Sequence, residues 1–197
     1  MHPFKFSTWL TSNLPLAAPE VRALIDRCTT RVIPAGSFLL RQGEICRHSF
    51  FVEQGLLSKY GIDDKGKEHI LQFAPENWLI SDRESVYFQR PALFFIRALE
   101  DSRVLVLEES FLTRLAKELP GFSAFNTRLL HNHIHQQNKR IYALLSASAE
   151  ERYLSFVRTY PDIMLRVPQW MVASYLGITP ESLSRVRKQL ADRHFKG

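Results

Sequence analysis

The sequence predicts an α+β protein: an N-terminal antiparallel β-roll (jelly roll) with flanking helices, then a long dimerisation helix, then a C-terminal helix-turn-helix domain. Three observations carry this. Between about Val32 and Leu107, short apolar runs alternate with turn signals such as Pro34-Ala-Gly36, Asp64-Lys-Gly66 and Pro75-Glu-Asn77, which is the signature of many short strands. After Glu108 the apolar spacing becomes helical. The charge also divides unevenly. Residues 1–110 carry 13 Lys and Arg against 14 Asp and Glu, net −1, whereas residues 111–197 carry 13 against 6, net +7. Basic charge confined to one half is the electrostatic footprint of a nucleic-acid-binding module, although an ordinary solvated face would look similar.

Taken in order, Pro19 to Cys28 has helical spacing, with Val21, Leu24 and Ile25 on one side. Phe38-Leu-Leu, Phe50-Phe-Val, Leu56-Leu-Ser-Lys-Tyr, His69-Ile-Leu-Gln-Phe, Leu93-Phe-Phe-Ile and Val104-Leu-Val-Leu read as strands. Phe111, Leu112 and Leu115 open a short helix that stops at Pro120-Gly121. One long helix then runs from Phe122 to about Ser146, with Leu130, Ile134, Gln137, Ile141 and Leu144 alternating by four and three as a coiled-coil seam does. A helix of about 25 residues is about 37 Å long and outruns a small domain, so the seam implies a homodimer, the alternative being packing on its own domain. Ser148-Ala-Glu-Glu151 has capping-box spacing and starts a helix that ends at Pro161, which makes Ser146–Ala149 a hinge. The expected domains are therefore residues 1–120, 121–146 and 147–197.

The C-terminal segment is the most informative. Pro168 opens a helix through Tyr175, Leu176-Gly177-Ile178 makes a tight turn, and Thr179 with Pro180 restarts a helix as N-cap and first residue. Leu183, Val186 and Leu190 then fall on one face, and Glu181, Ser184, Arg185 and Lys188 on the other. A polar, arginine-bearing outward face suits placement in the major groove of double-stranded DNA. Arg185 can donate a fork to guanine, Glu181 can accept from cytosine, and Thr179, Ser182, Arg187 and Lys188 can hold phosphates. The alternative is a module whose C-terminal helices dock a protein partner instead of DNA; it would show exposed apolar residues on that face.

The remaining composition sets bounds. The apolar fraction of 45% can fill a core. No run of 18 apolar residues occurs and the first residues lack a hydrophobic stretch, so neither a membrane span nor a signal peptide is expected and the protein is placed in the cytoplasm. Cys28 and Cys46 lack Cys-x-x-Cys spacing and read as ordinary reduced thiols. His131 and His135 share a helical face but lack a neighbouring carboxylate or thiol, so no metal site is assigned to them or to His133. No P-loop, Gly-x-Ser-x-Gly or His-Glu-x-x-His motif occurs, and the roll has no His-x-His pair of the kind that holds a cupin metal, so an enzyme is not expected.

Through Pro34-Ala-Gly-Ser-Phe-Leu-Leu-Arg-Gln-Gly43-Glu44, Phe50-Phe-Val-Glu-Gln-Gly55, Ser148-Ala-Glu-Glu-Arg-Tyr153 and Val167-Pro-Gln through Tyr175-Leu-Gly-Ile-Thr-Pro-Glu-Ser-Leu-Ser-Arg185, the chain resembles the Crp/Fnr family of bacterial regulators over nearly its whole length, in a form that looks like the Bacteroidetes branch. The resemblance implies a cyclic-nucleotide-binding-type roll, a dimer helix, a DNA-binding domain and RNA polymerase as a partner. It also implies where an effector would sit. In cyclic-AMP-binding members a Gly-Glu pair holds the ribose and an Arg-Ser pair the phosphate; aligned through Arg97-Ala98, those places here are Ser81-Asp82 and Ala92-Leu93. The phosphate loses its charge-assisted donors, so cyclic AMP is not the expected ligand. Arg83, Arg90 or Arg97 could restore the charge; otherwise the region around Phe73, Trp78, Ser81, Asp82 and Phe94 takes another ligand or is closed core. Two cysteines cannot supply the four ligands of an iron–sulfur sensor. The chain stops soon after the recognition helix, so any wing must precede it, where Met164-Leu-Arg-Val167 offers only a short strand. Pro180 stands where many relatives place a base-reading arginine, which implies a different operator.

Overall fold

The computed structural model describes residues 6–14, 21, 25 and 28–194. Among the described residues eight strands form two four-stranded sheets. One has the order β1-β8-β3-β6, from β1 (Thr29–Ile33), β8 (Ser102–Glu108), β3 (His48–Gln54) and β6 (Leu79–Ile80). The other has the order β2-β7-β4-β5, from β2 (Phe38–Leu40), β7 (Phe95–Ala98), β4 (Leu57–Ile62) and β5 (Glu68–Ala74). Pairing is antiparallel in β1·β8, β3·β8, β3·β6, β2·β7 and β4·β7. Every strand contributes to one buried cluster, which includes Ile33, Leu40, Phe50, Val52, Leu57, Ala74, Ile80, Ile96 and Val104, so the core lies between the two sheets.

The alternation along the strands explains a second core. Phe50 and Val52 of β3 face the roll interior, so Phe51 faces the opposite side, as do Leu105 and Leu107 of β8. There they meet helix α1 (Phe6–Asn13) through Phe6 and Leu10, helix α3 (Glu109–Glu118) through Phe111 and Leu115, and the first turn of helix α4 (Phe122–Ser146) through Phe122 and Phe125. Aromatic packing joins these elements, with Trp9 centred 5.6 Å from Phe51 and 5.2 Å from Phe125. A strand apolar on both faces is thus satisfied by a sheet on one side and helices on the other. Helix α2 (Arg83–Phe88) lies between β6 and β7. The β3–β4 turn needs glycine, because Gly55 has φ +95° and a Cβ there would come within 2.7 Å of Ser102 Cα.

By contacts the chain divides into two compact units, residues 1–62 with 71–130, and residues 63–70 with 131–197. In the second, α4 continues into helices α5 (Ala149–Thr159), α6 (Ile163–Arg166), α7 (Gln169–Leu176) and α8 (Pro180–His194). Its buried apolar residues include Phe156, Ile163, Val167, Met171, Val172, Leu176, Leu183 and Val186. The short strand expected at Met164–Val167 is not formed: Ile163–Arg166 is a helical turn, fixed by burial of Ile163 and by the Arg166–Asp162 pair at 3.2 Å. Of the helix expected over Pro19 to Cys28, Val21 and Ile25 are helical; its other predicted apolar residue, Leu24, lies outside the described residues. Elements that sequence spacing did not mark are α1, α2 and the two-residue β6; β1 extends further back than Val32.

Candidate DNA interface and ligand pocket

Two helices and a turn build the candidate interface. Gly177 ends α7 in the left-handed region, φ 67° and ψ 36°, and its N–H donates to the carbonyls of Ala173 and Ser174. Thr179 then caps α8: its Oγ1 accepts from Ser182 N at 3.2 Å, and its carbonyl accepts from Leu183 N at 3.0 Å. Leu183 and Val186 are buried and Leu190 half-buried, which leaves Thr179, Pro180, Glu181, Ser184, Arg185, Arg187 and Lys188 exposed and Ser182 half-buried. Arg185, Arg187 and Lys188 make no ion pair among the described residues. The Thr179 hydroxyl beside Glu181, followed by that residue's own backbone N–H, holds the Glu181 carboxyl below its usual range, so it presents an ionised acceptor. Gln169, to which sequence reasoning gave no role of its own, opens α7 beside this face and accepts from the Ser184 hydroxyl at 3.5 Å. Its signal was its place just after Pro168, where the free N–H groups of a helix begin.

Farther along α8, Arg193 is engaged with the protein itself, forming a two-point pair with Glu150 at the start of α5. The turn is fixed from the other side. Leu144 of α4 approaches Gly177 so closely that a Cβ on the glycine would lie 2.9 Å from Leu144 Cδ2. The Arg140 guanidinium lies 4.2 Å from the Tyr175 ring centre and donates to the carbonyls of Tyr175 at 2.9 Å and Ile70 at 3.1 Å. Ser174 Oγ accepts from Ile70 N at 3.0 Å and donates to Glu68 O at 3.2 Å. In the connector after α4, Ser148 and Glu151 form the capping box, and Arg152 donates to the Ala147 carbonyl at 2.6 Å.

On α4 the expected seam lies open in the single chain: Leu130 is 38% exposed, Ile134 47% and Ile141 55%, with Gln137 half-buried. Leu144 completes the stripe at 39% exposed while its Cδ2 lies against Gly177, and Leu145, four residues after Ile141, is 83% exposed. His131, His133 and His135 are exposed, and among the described residues no three His, Cys, Asp or Glu side chains gather as a metal site would need.

The expected ligand residues do not all meet. Trp78 packs against the interior cluster and Ala92 is a buried member of it. Phe73 is buried, as is Ala74 beside it, which belongs to the interior cluster. Arg83 and Leu93 are exposed. Asp82 is buried and caps α2 by accepting from Ser85 N at 3.3 Å, while its Oδ2 lies 3.7 Å from Lys59 Nζ. Lys59 also donates to the Ser81 carbonyl at 3.2 Å and lies 4.9 Å from the ring centre of Phe94. The sequence showed Lys59 only as part of a strand; the missed signal was a lysine on the same strand face as Leu57. Arg97 lies over the Tyr60 ring at 4.7 Å, and Arg90 over Phe88 at 5.4 Å. The thiols are unremarkable nucleophiles at best: burial, then the Glu108 charge, pushes Cys28 up to about 11, and Cys46 donates to the His48 carbonyl.

Comparison with known proteins agrees with this architecture. Residues 30–118 match the Cyclic nucleotide-binding domain. The chain is 26% identical over 169 residues to the Anaerobic regulatory protein of Pasteurella multocida, covering 80% of this chain and 61% of that one. It is 26% identical over 178 residues to the Fumarate and nitrate reduction regulatory protein of Vibrio cholerae, covering 85% and 70%. The match thus spans under two thirds of the first of these relatives. In fold it is similar to FixK2 from Bradyrhizobium japonicum, with a TM-score of 0.72 at 18% identity over 85% of this chain and 86% of that one. It is also similar to the Catabolite Activator Protein of Thermus thermophilus, with a TM-score of 0.58 at 21% identity over 91% and 85%. No described helix is long and apolar enough to cross a membrane. With its two-sheet roll, its long helix and its helix-turn-helix, the chain is a homologue of the Crp/Fnr family regulators, built on a cyclic nucleotide-binding domain.

Proposed function

We propose that this protein is a sequence-specific DNA-binding transcription regulator of the Crp/Fnr type. The observation that carries this is α8: capped by Thr179 and seated on Leu183 and Val186, it turns Glu181, Ser184, Arg185 and Lys188 outward on a basic half of the chain. In this reading Arg185 and Glu181 read bases, while Thr179, Ser182, Arg187 and Lys188 position the phosphate backbone, with Gln169 beside them. Pro180 has no side-chain donor, so the base beneath it is read through shape or not at all. The protein acts as a homodimer through the α4 stripe of Leu130, Ile134, Gln137, Ile141 and Leu144, works in the cytoplasm, engages RNA polymerase and catalyses no reaction. The domain division is a roll over residues 1–120, a dimer helix over 121–146 and a DNA-binding domain over 147–197. Cyclic AMP is not its effector, because the phosphate positions are Ala92 in the core and Leu93 at the surface.

The test is a fluorescence titration of the protein against duplex from its own promoter region at several salt concentrations, with and without cyclic AMP. Tight binding that falls steeply with salt, is weakened by Arg185→Ala and is indifferent to cyclic AMP is expected. Binding no stronger than to unrelated duplex would refute the regulator reading, and dependence on cyclic AMP would refute the effector argument.

A further inference from the structure

The roll interior holds a charged pair that DNA binding does not use. Leu57 of β4 belongs to the interior cluster, and Lys59, two residues on, shares its face. The Lys59 side chain is 14% exposed and that of Asp82 5%. Among the described residues the ammonium meets the Ser81 carbonyl at 3.2 Å, Asp82 Oδ2 at 3.7 Å and the Phe94 ring at 4.9 Å. Asp82 divides its two oxygens. Oδ1 caps α2, whereas Oδ2 accepts no hydrogen bond among the described residues and faces Lys59. The cap is itself braced, since Ser85 Oγ accepts from Cys46 N at 2.8 Å and donates to the Arg90 carbonyl. Burial pushes the Lys59 amine down from its ordinary range and the Asp82 charge pulls it back up.

We propose that Lys59 is a built-in counter-charge for Asp82, a cation supplied by the chain itself that fastens α2 to β4 at the place where the resemblance puts an external effector. The inference rests on the reading of the roll as a cyclic nucleotide-binding domain, not on DNA binding. An ammonium in an apolar interior is strongly disfavoured unless paired, and so is a buried carboxylate. A ligand hydroxyl that claimed Asp82 would therefore strip the lysine of its counter-charge and leave a buried cation behind. Apolar side chains could pack the same volume equally well, so what the pair adds is one defined position for α2.

The experiment uses the full chain with Lys59→Met, Asp82→Asn and the double variant. Asparagine keeps an oxygen that can cap α2 while removing the charge, which separates the pair from the cap. Amide hydrogen exchange is read across residues 83–88, and melting temperature is read with and without cyclic AMP or cyclic GMP. Each single variant is expected to speed exchange at 83–88 by about tenfold, the double variant no further, and neither nucleotide should move the wild-type melting temperature. Unchanged exchange in Lys59→Met, or additive effects in the double variant, overturns the proposal. So does nucleotide binding by the wild type that Lys59→Met abolishes, which would make Lys59 a ligand anchor. These readouts lie in the roll, so a protein that failed to bind DNA would sink the regulator reading alone.

Discussion

Gly177 shows how much a single residue can carry. It holds φ +67° at the turn between α7 and α8, and the space where a Cβ would stand is filled by Leu144. Gly177→Ala should cost about 1–2 kcal/mol from backbone strain alone, with the contact adding to it. Measured by urea unfolding, Leu144→Ala in the same chain should recover the contact part and leave the strain. An equal penalty in both backgrounds would mean that Leu144 does not press on the turn. At Arg185 the expected effect is on binding: Arg185→Ala should lose about 1–3 kcal/mol against the preferred duplex and much less against unrelated duplex. A uniform loss on both would make it a phosphate contact. Cys28 should alkylate slowly in the folded protein at neutral pH, because a thiol pushed up to about 11 is almost wholly protonated there, and its rate should climb as pH approaches that value. Rapid labelling at neutral pH would contradict that raised value.

At the scale of elements, the start of α5 was legible because its chemistry is local. Ser148 and Glu151 are three residues apart and close on each other, with Ser148 N donating to Glu151 Oε2 at 2.8 Å and Glu151 N to Ser148 Oγ at 3.2 Å. Ser148→Ala should cost about 1 kcal/mol in the same unfolding measurement. The Ser148 N–H, then its hydroxyl, holds the Glu151 carboxyl below its ordinary range. A depressed carboxylate contributes stability above its unfolded pKa and loses it as pH falls through the folded value. The gap between wild type and Glu151→Ala should therefore be flat at neutral pH and close in acid. Helix α4 and the turn at Gly177 were legible for the same reason, since periodicity, Pro120-Gly121 and a turn glycine all act within a few residues. Helix α1 was not: Phe6 and Leu10 make sense only against Phe51 and Phe125, which come from far along the chain. The strand expected at Met164–Val167 failed in the same way, because burial of Ile163 in the helical unit outweighed a short apolar run.

At the scale of the whole molecule, the open stripe on α4 predicts association. Ile141→Lys should turn a dimer into a monomer in sedimentation velocity and weaken DNA binding by the loss of the second half-site. A dimer that survived this change would place the interface elsewhere. Sequence alone determined the broad order of roll, long helix and helix-turn-helix, because strand and helix periods, caps and turn glycines are encoded over a few neighbours. It also determined the outward face of α8, since Leu183, Val186 and Leu190 leave the remaining positions no other side. Only tertiary structure decided that Leu144 of α4 meets Gly177, and that Lys59 pairs with Asp82. Each of these depends on which residues distant in sequence arrive at the same place. Local pattern can state that a side chain is apolar or charged, but only packing can state what it meets.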